Sequence, residues 1–230
     1  MTSASKSEAI ASGTVVIART GVSGPEVLML RRTPSERDHF NGMWVFPGGK
    51  VDPSDLGSTE LERACVAAVR EAEEEASLRL DVADLYPIDR WEPQAREGLG
   101  VRRFATWIFV TTLGRDGSDV VQVDGVEIDQ HRWCTPAEAL EAHATGEMGF
   151  VGPTWMTLHK LANHDSVDAL LDWARGREPV RYHSQVNFGD EDTPTIIAWH
   201  GDELYDATPG GRHRLTMQPG RWIFEGPIDL

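Results

Sequence analysis

The chain has 230 residues, two cysteines and a formal net charge of −15 from 22 Lys+Arg against 37 Asp+Glu. That length buries a full core, as one domain or one domain with an appendage. The acidic balance excludes a general nucleic-acid surface, which needs a basic footprint; two cysteines make no disulfide framework, and no apolar run reaches membrane-spanning length. The opening, Met1 to Ile10, is small and polar. It predicts a flexible tail over residues 1–10 rather than a targeting segment, so a cytoplasmic protein is expected.

Ser12–Ala18 and Glu26–Arg31 are rich in Val, Ile and Leu and are separated by Gly21–Pro25, which predicts a hairpin. Arg31, Arg32 and Arg37 follow. Two readings stand for them: solvated charges at a strand end, or guanidinium forks for phosphate oxygens. Val45-Phe46-Pro47-Gly48-Gly49 reads as a strand ending in a tight glycine loop. Asp52–Gly57 superficially suggests a calcium loop, but Leu56 and Arg63 occupy positions that need oxygen ligands. It is read as a turn and helix entry, with Ser58 or Thr59 as the cap.

Ser58 to Leu80 holds no Gly and no Pro, and its Leu, Ala, Glu and Arg favour helix. At roughly 100° per residue, Glu71, Glu74 and Glu75 share one arc. Leu61, Ala64, Cys65, Ala68, Ala72 and Ala76 share a neighbouring apolar arc, which makes Cys65 a core residue. An acidic run is commonly just a solvated face. Here the glycine loop leads into it and Arg70 is placed to orient a glutamate. Converging carboxylates repel unless a cation sits between them, and hard divalent ions such as Mg²⁺ take such oxygens.

Beyond the helix, Asp81–Ile88 leads to Arg90-Trp91-Glu92-Pro93, and Val101–Leu113 predicts a central strand. Arg102 and Arg103 at its start either face a substrate or are surface charges. Gly114–Gly125 reads as a polar loop. Glu127 precedes a strand ending in Trp133 and a short helix from Pro136; it is a candidate metal ligand or base, or else solvates a strand edge. Gly152 to about Arg177 is helical by its apolar spacing. His159 and His164 lack a third ligand in pattern, so zinc is not supported. Val180–Leu230 is Gly- and Pro-punctuated with β-like runs, predicting a β-rich extension that closes a pocket or makes a homodimer contact.

Glu62, seven residues, then Arg70-Glu71-Ala72-Glu73-Glu74-Glu75-Ala76-Ser77-Leu78 resembles the signature of the Nudix hydrolase family: Gly, five residues, Glu, seven residues, Arg-Glu, an apolar residue, any residue, Glu-Glu, any residue, Gly. Two departures stand out. Ser77 replaces a Gly, and twelve residues rather than five separate Gly49 from Glu62. Leu28, Leu30, Arg32-Thr33, Arg37, Gly42 and Phe46-Pro47-Gly48-Gly49 are further similar to the coenzyme A diphosphatase branch. Trp91-x-Pro93 with Arg102-Arg103-Phe104 is similar to the same branch.

The resemblance implies an α/β/α sandwich with a mixed sheet over residues 11–177, with the β-rich extension at 178–230. It implies Mg²⁺ or Mn²⁺ on Glu71, Glu74 and Glu75 with the Gly49 carbonyl, Glu74 or Glu71 as base, and Arg70 orienting Glu71. Gly48 and Glu62 would shape the motif, Glu127 would add a ligand, and Arg32, Arg37 and Arg103 would hold a small nucleotide substrate. The implied reaction is hydrolysis of a diphosphate in coenzyme A or an acyl-CoA, with ADP-ribose or NADH as the next substrates. A non-catalytic nucleotide-binding module is the reading of a different class, and the intact glutamate set argues against it.

Overall fold

The computed structural model describes residues 9–35, 42–94, 103–113, 120–190, 192–207 and 209–227. β1 (Ile10–Thr20) and β2 (Pro25–Arg32) form the predicted antiparallel hairpin. β3 (Trp44–Val45) pairs with β2, and β4 (Gly48–Lys50) returns against β1. α1 (Glu60–Ala76) follows, shorter at both ends than the Gly- and Pro-free run. β5 (Tyr86–Pro93) and β6 (Phe104–Thr112) pair antiparallel, and β6 lies parallel to β1 from Ile10↔Phe104 to Ala18↔Thr112. β7 (Ile128–Cys134) pairs with β2, and Thr135 then opens α2 (Pro136–Ala144) through a capping box with Glu138.

The predicted helical stretch 152–177 is two helices, α3 (Gly152–Leu161) and α4 (Val167–Arg175). The break falls where Ser166 accepts the Ala169 N–H and starts a new helix. β8 (Val180–Asn187) then lies parallel to β5, followed by β9 (Thr195–Ala198), the short α5 (Glu203–Asp206), β10 (Arg214–Gln218) and β11 (Arg221–Glu225). Among the described residues the sheet order is β11-β10-β9-β8-β5-β6-β1-β2-β3, so the C-terminal strands extend the same sheet outward from β5.

Period-two alternation sends successive side chains to opposite faces. Val15, Ile17, Leu28, Leu30 and Phe109 meet Ala64, Ala68, Ala72 and Ala76 of α1. Val16, Val27, Met29, Ile108 and Val110 face α3 and α4 through Leu158, Leu161 and Leu170. Each fully buried large aliphatic contributes about 1.5–3 kcal/mol. The alanine stripe lets α1 lie close to the sheet, and Gly13 is required beneath it: a Cβ there would stand 1.9 Å from the Ala64 carbonyl oxygen. Among the described residues no helix is long and apolar enough to cross a membrane.

Candidate active site

The site forms where the C-terminal half of α1 meets the glycine loop. The helix is fixed at both ends. Thr59 caps the start: its hydroxyl accepts the Glu62 N–H at 3.2 Å, and the Glu62 carboxylate accepts the N–H groups of Ser58 (2.6 Å) and Thr59 (3.2 Å). Ser77 ends it in the left-handed region at φ 57°. Gly48 and Gly49 are needed for contact. A Cβ on Gly48 would stand 2.6 Å from Thr14, and one on Gly49 would stand 2.2 Å from Glu71 Oε1.

Arg70 is the hub. Its Nη1 donates to Glu71 Oε1 and to Glu74 Oε2, both at 2.9 Å. Its Nη2 donates to the Lys50 carbonyl at 3.1 Å, tying the helix to the glycine loop. Its Nε and Nη2 grip Asp55 Oδ1 (3.0 Å) and Oδ2 (3.2 Å). Asp55 is buried and also accepts the Asp52 N–H at 2.7 Å. The Asp55 bond, followed by that to Glu71, holds the guanidinium proton beyond its ordinary range.

Asp55 is the residue that the sequence reading missed. Five residues separate Gly49 from Asp55, the family's own spacing. The extra residues therefore follow Asp55, and the position read onto Glu62 is a helix cap whose carboxylate bonds Ser58 and Thr59 rather than Arg70. Counting forward from Gly49, instead of backward from Arg70, would have found it.

The carboxylates are under-neutralised. Glu75 is only 3% exposed and accepts the Gly48 N–H at 3.1 Å. Burial pushes its carboxyl up to about 8; the Gly48 bond and Arg32 oppose this, and Glu71 and Glu127 add to it. Burial also raises Glu71, against the pull of Arg70 and with the repulsion of Glu74 and Glu127. Glu127 and Arg32 thus act on the same centre. Arg32 Nη2 stands 3.5 Å from Glu127 Oε2, and the Thr33 N–H donates to the Glu127 carbonyl at 2.7 Å. Asp124 accepts the N–H groups of Val126 (2.9 Å), Glu127 (3.1 Å) and Ile128 (2.9 Å), which shapes the turn presenting Glu127.

Not every candidate converges. Arg103 donates to the Pro93 carbonyl at 3.1 Å and adds a small pull to Glu92, whose carboxyl is lowered chiefly by its bond to Arg90, so it belongs to the β5–β6 end rather than the glycine loop. Arg37 and Arg102 lie outside the described residues. His159 stacks on Trp155 at 5.0 Å between ring centroids, a packing role.

The NUDIX domain family model matches residues 10–151. The chain belongs to the NUDIX domain family. The curated acyl-coenzyme A diphosphatase NUDT19 of Gallus gallus is 26% identical to this NUDIX chain over 156 residues, 62% of this chain and 39% of that protein. The chain therefore spans about two fifths of that relative's length. A NUDIX hydrolase from Alicyclobacillus acidocaldarius shares the fold, at 22% identity and TM-score 0.59, over 72% of this chain and 96% of its own. A C. elegans Ap4A hydrolase is 21% identical over 65% of this chain and 93% of its own, at TM-score 0.45.

NUDIX hydrolases generally use divalent metal ions. The donor set fits such an ion: every donor is a hard oxygen, and the glycine backbone closes onto Glu71 where a side chain would fill the space. Among the described residues no three acidic, His or Cys side chains already stand as a ready ligand set. Glu71 and Glu74 are turned onto Arg70 instead.

Proposed function

We propose that this NUDIX protein is a metal-dependent hydrolase of a diphosphate linkage in coenzyme A, an acyl-CoA or a related nucleoside diphosphate derivative. One observation carries the reading. Glu71, Glu74 and Glu75 gather at the glycine loop; Arg70 bonds Glu71 and Glu74, while Glu75 is buried on the Gly48 N–H with no bonded cation of its own among the described contacts. A purely structural cluster would be charge-balanced; a site for a dication and an anionic substrate need not be. The coenzyme A preference rests on the Leu28–Gly49 pattern and on the name of the curated relative.

Glu71, Glu74, Glu75 and the Gly49 carbonyl would hold Mg²⁺ or Mn²⁺. The bound ion would supply charge neutralisation for phosphoryl oxygens and acidify water. Glu74 holds Arg70 through Oε2, which leaves Oε1 to take the proton of the attacking water; its side chain is 58% exposed, open to solvent and substrate. Water adds to phosphorus as the bridging P–O bond breaks, giving two phosphomonoesters. For coenzyme A these are 3′,5′-ADP and 4′-phosphopantetheine. Arg32 would meet phosphate oxygens after exchanging its 3.5 Å contact with Glu127.

The test is turnover with Mg²⁺ against coenzyme A, acetyl-CoA, ADP-ribose, NADH and a nucleoside triphosphate, with Glu74→Gln alongside. Coenzyme A species should be cleaved, and the variant should lose ~10²-fold or more in kcat, the scale for removing one positioned charge-stabilising group. Turnover of ADP-ribose or NADH alone would keep the metal site and discard the coenzyme A assignment. Tight binding of a nucleotide without turnover would make the protein a binding module.

A further inference from the structure

We infer that β11 is a self-association edge, at which two copies of this chain pair antiparallel about a two-fold axis through Ile223. Among the described residues β11 is the last strand of the sheet, and only β10 pairs with it. At the far side of the sheet β3 is two residues long, and β7, which among the described residues pairs with β2 alone, carries the charges of Asp129 and Arg132; both are blunted edges. β11 runs five residues, Arg-Trp-Ile-Phe-Glu, with no proline or lysine to guard its outer side. Such an edge is a template for another strand.

The sequence of the edge names its partner. Set antiparallel against itself with Ile223 opposite Ile223, the strand places Arg221 opposite Glu225 and Trp222 opposite Phe224. Opposite charges and aromatic pairs directly across strands are the favourable combinations. The hydrogen-bonding parity agrees. Pro219-Gly220 joins Gln218 to Arg221 as a two-residue hairpin loop, so Gln218↔Arg221 is a bonded pair. Alternation then turns the N–H and C=O groups of Arg221, Ile223 and Glu225 towards β10, and those of Trp222 and Phe224 outward. Those outward groups are the ones the two-fold pairing joins, Trp222 with Phe224 of the second copy.

The edge is also held ready. Trp222 packs edge-on to His143 at 4.5 Å, and Phe224 lies 6.0 Å from both His159 and His213. Next to it, Arg214 grips the buried Asp202 with both arms at 2.7 and 2.6 Å. An acidic protein of net charge −15 resists association in general, so local complementarity at this strand selects the register.

Sedimentation velocity over a concentration series tests this. The intact chain should show a monomer–dimer equilibrium. Arg221→Glu and Glu225→Arg should each weaken it roughly tenfold or more, because both symmetric pairs become like-charged. The two variants mixed in equal amounts should recover dimer, since every pair across a mixed interface is again opposite, and the double variant should recover it alone. A chain monomeric at the highest soluble concentration overturns the proposal. So does a dimer that survives both single reversals, which would place the interface elsewhere, and so does a mixture that fails to recover, which would exclude the antiparallel register.

Discussion

Two ion clusters sit on the two sides of one sheet, and they are built differently. Between β5 and α3, Lys160 donates to both oxygens of Asp89 at 2.7 and 2.9 Å, both side chains are at most 1% exposed, and the ammonium lies 4.7 Å from the Tyr182 ring. There one ammonium meets one carboxylate directly. On the α1 side a single guanidinium faces Asp55, Glu71 and Glu74, with Glu75 buried beside them. The first cluster is finished by folding. The second is left with more carboxylates than cations, the arrangement on which the proposed metal site rests.

The largest expected effect breaks the finished cluster. Lys160→Met leaves the Asp89 carboxylate buried without its cation and should cost about 3–5 kcal/mol, read as a lower urea midpoint. Changing both residues, Lys160→Met with Asp89→Leu, should recover most of that, because a buried pair exchanged for apolar groups is often neutral. Turnover per folded molecule should hold in both, since neither residue reaches the glycine loop.

The unfinished cluster should answer to pH in metal-free protein. Glu75 has a folded pKa raised to about 8 from 4.5. A raised pKa means that the folded state binds the proton more tightly than the unfolded chain does. Its contribution is therefore fully present below about 4.5 and is lost as pH rises towards about 8. The melting temperature should fall across that window, and Glu75→Gln should flatten the fall. A profile in Glu75→Gln identical to the parent would assign the pH dependence to another group.

Asp55→Asn probes what the Arg70 guanidinium does. It keeps the shape and removes the charge that Arg70 holds most firmly. A charge-assisted hydrogen bond is worth about 1.5–3 kcal/mol, so stability should drop by that order. Turnover should fall as well, because Arg70, no longer gripped by a carboxylate at Nε and Nη2, holds Glu71 and Glu74 less firmly. Thr59→Ala is the control. Loss of the helix cap costs ~1 kcal/mol, but Arg70 keeps all its partners and turnover should stay.

These residues also show what could be read without coordinates. The α1 stripe of alanines, the hairpin of β1 and β2 and the acidic arc are periodic or strongly patterned, so their placement follows from spacing alone. The role of Asp55 depends on where an insertion starts, and matching backward from Arg70 hid the five-residue interval from Gly49. The Asp89–Lys160 pair joins residues 71 apart in sequence, and no local pattern predicts such a contact. Arg103 looked equivalent to Arg32 as a cation at a strand end, yet the fold sends one to the Pro93 carbonyl and the other to Glu127. The parallel pairing of β8 with β5 has no short-range signal either, so the C-terminal strands read as an appendage although they continue the sheet.

The smallest effect concerns the position where this chain departs from its family. Ser77 holds φ 57°, a conformation that costs a non-glycine residue roughly 1 kcal/mol. Its hydroxyl recovers part of this by donating to the Gln122 carbonyl at 3.1 Å, an exposed bond of about 0.5 kcal/mol. Ser77→Gly should therefore stabilise by a net ~0.5 kcal/mol, about 1–2 °C in Tm for a chain of this size. The segment from Gln122 towards Glu127 keeps a second tether, since the Gln122 N–H donates to the Ala76 carbonyl at 3.1 Å. Turnover should then be unchanged. A rise in Tm with a loss of turnover would instead show that the serine hydroxyl sets the position of Glu127, and would extend the unfinished cluster from the helix to the turn that carries Glu127.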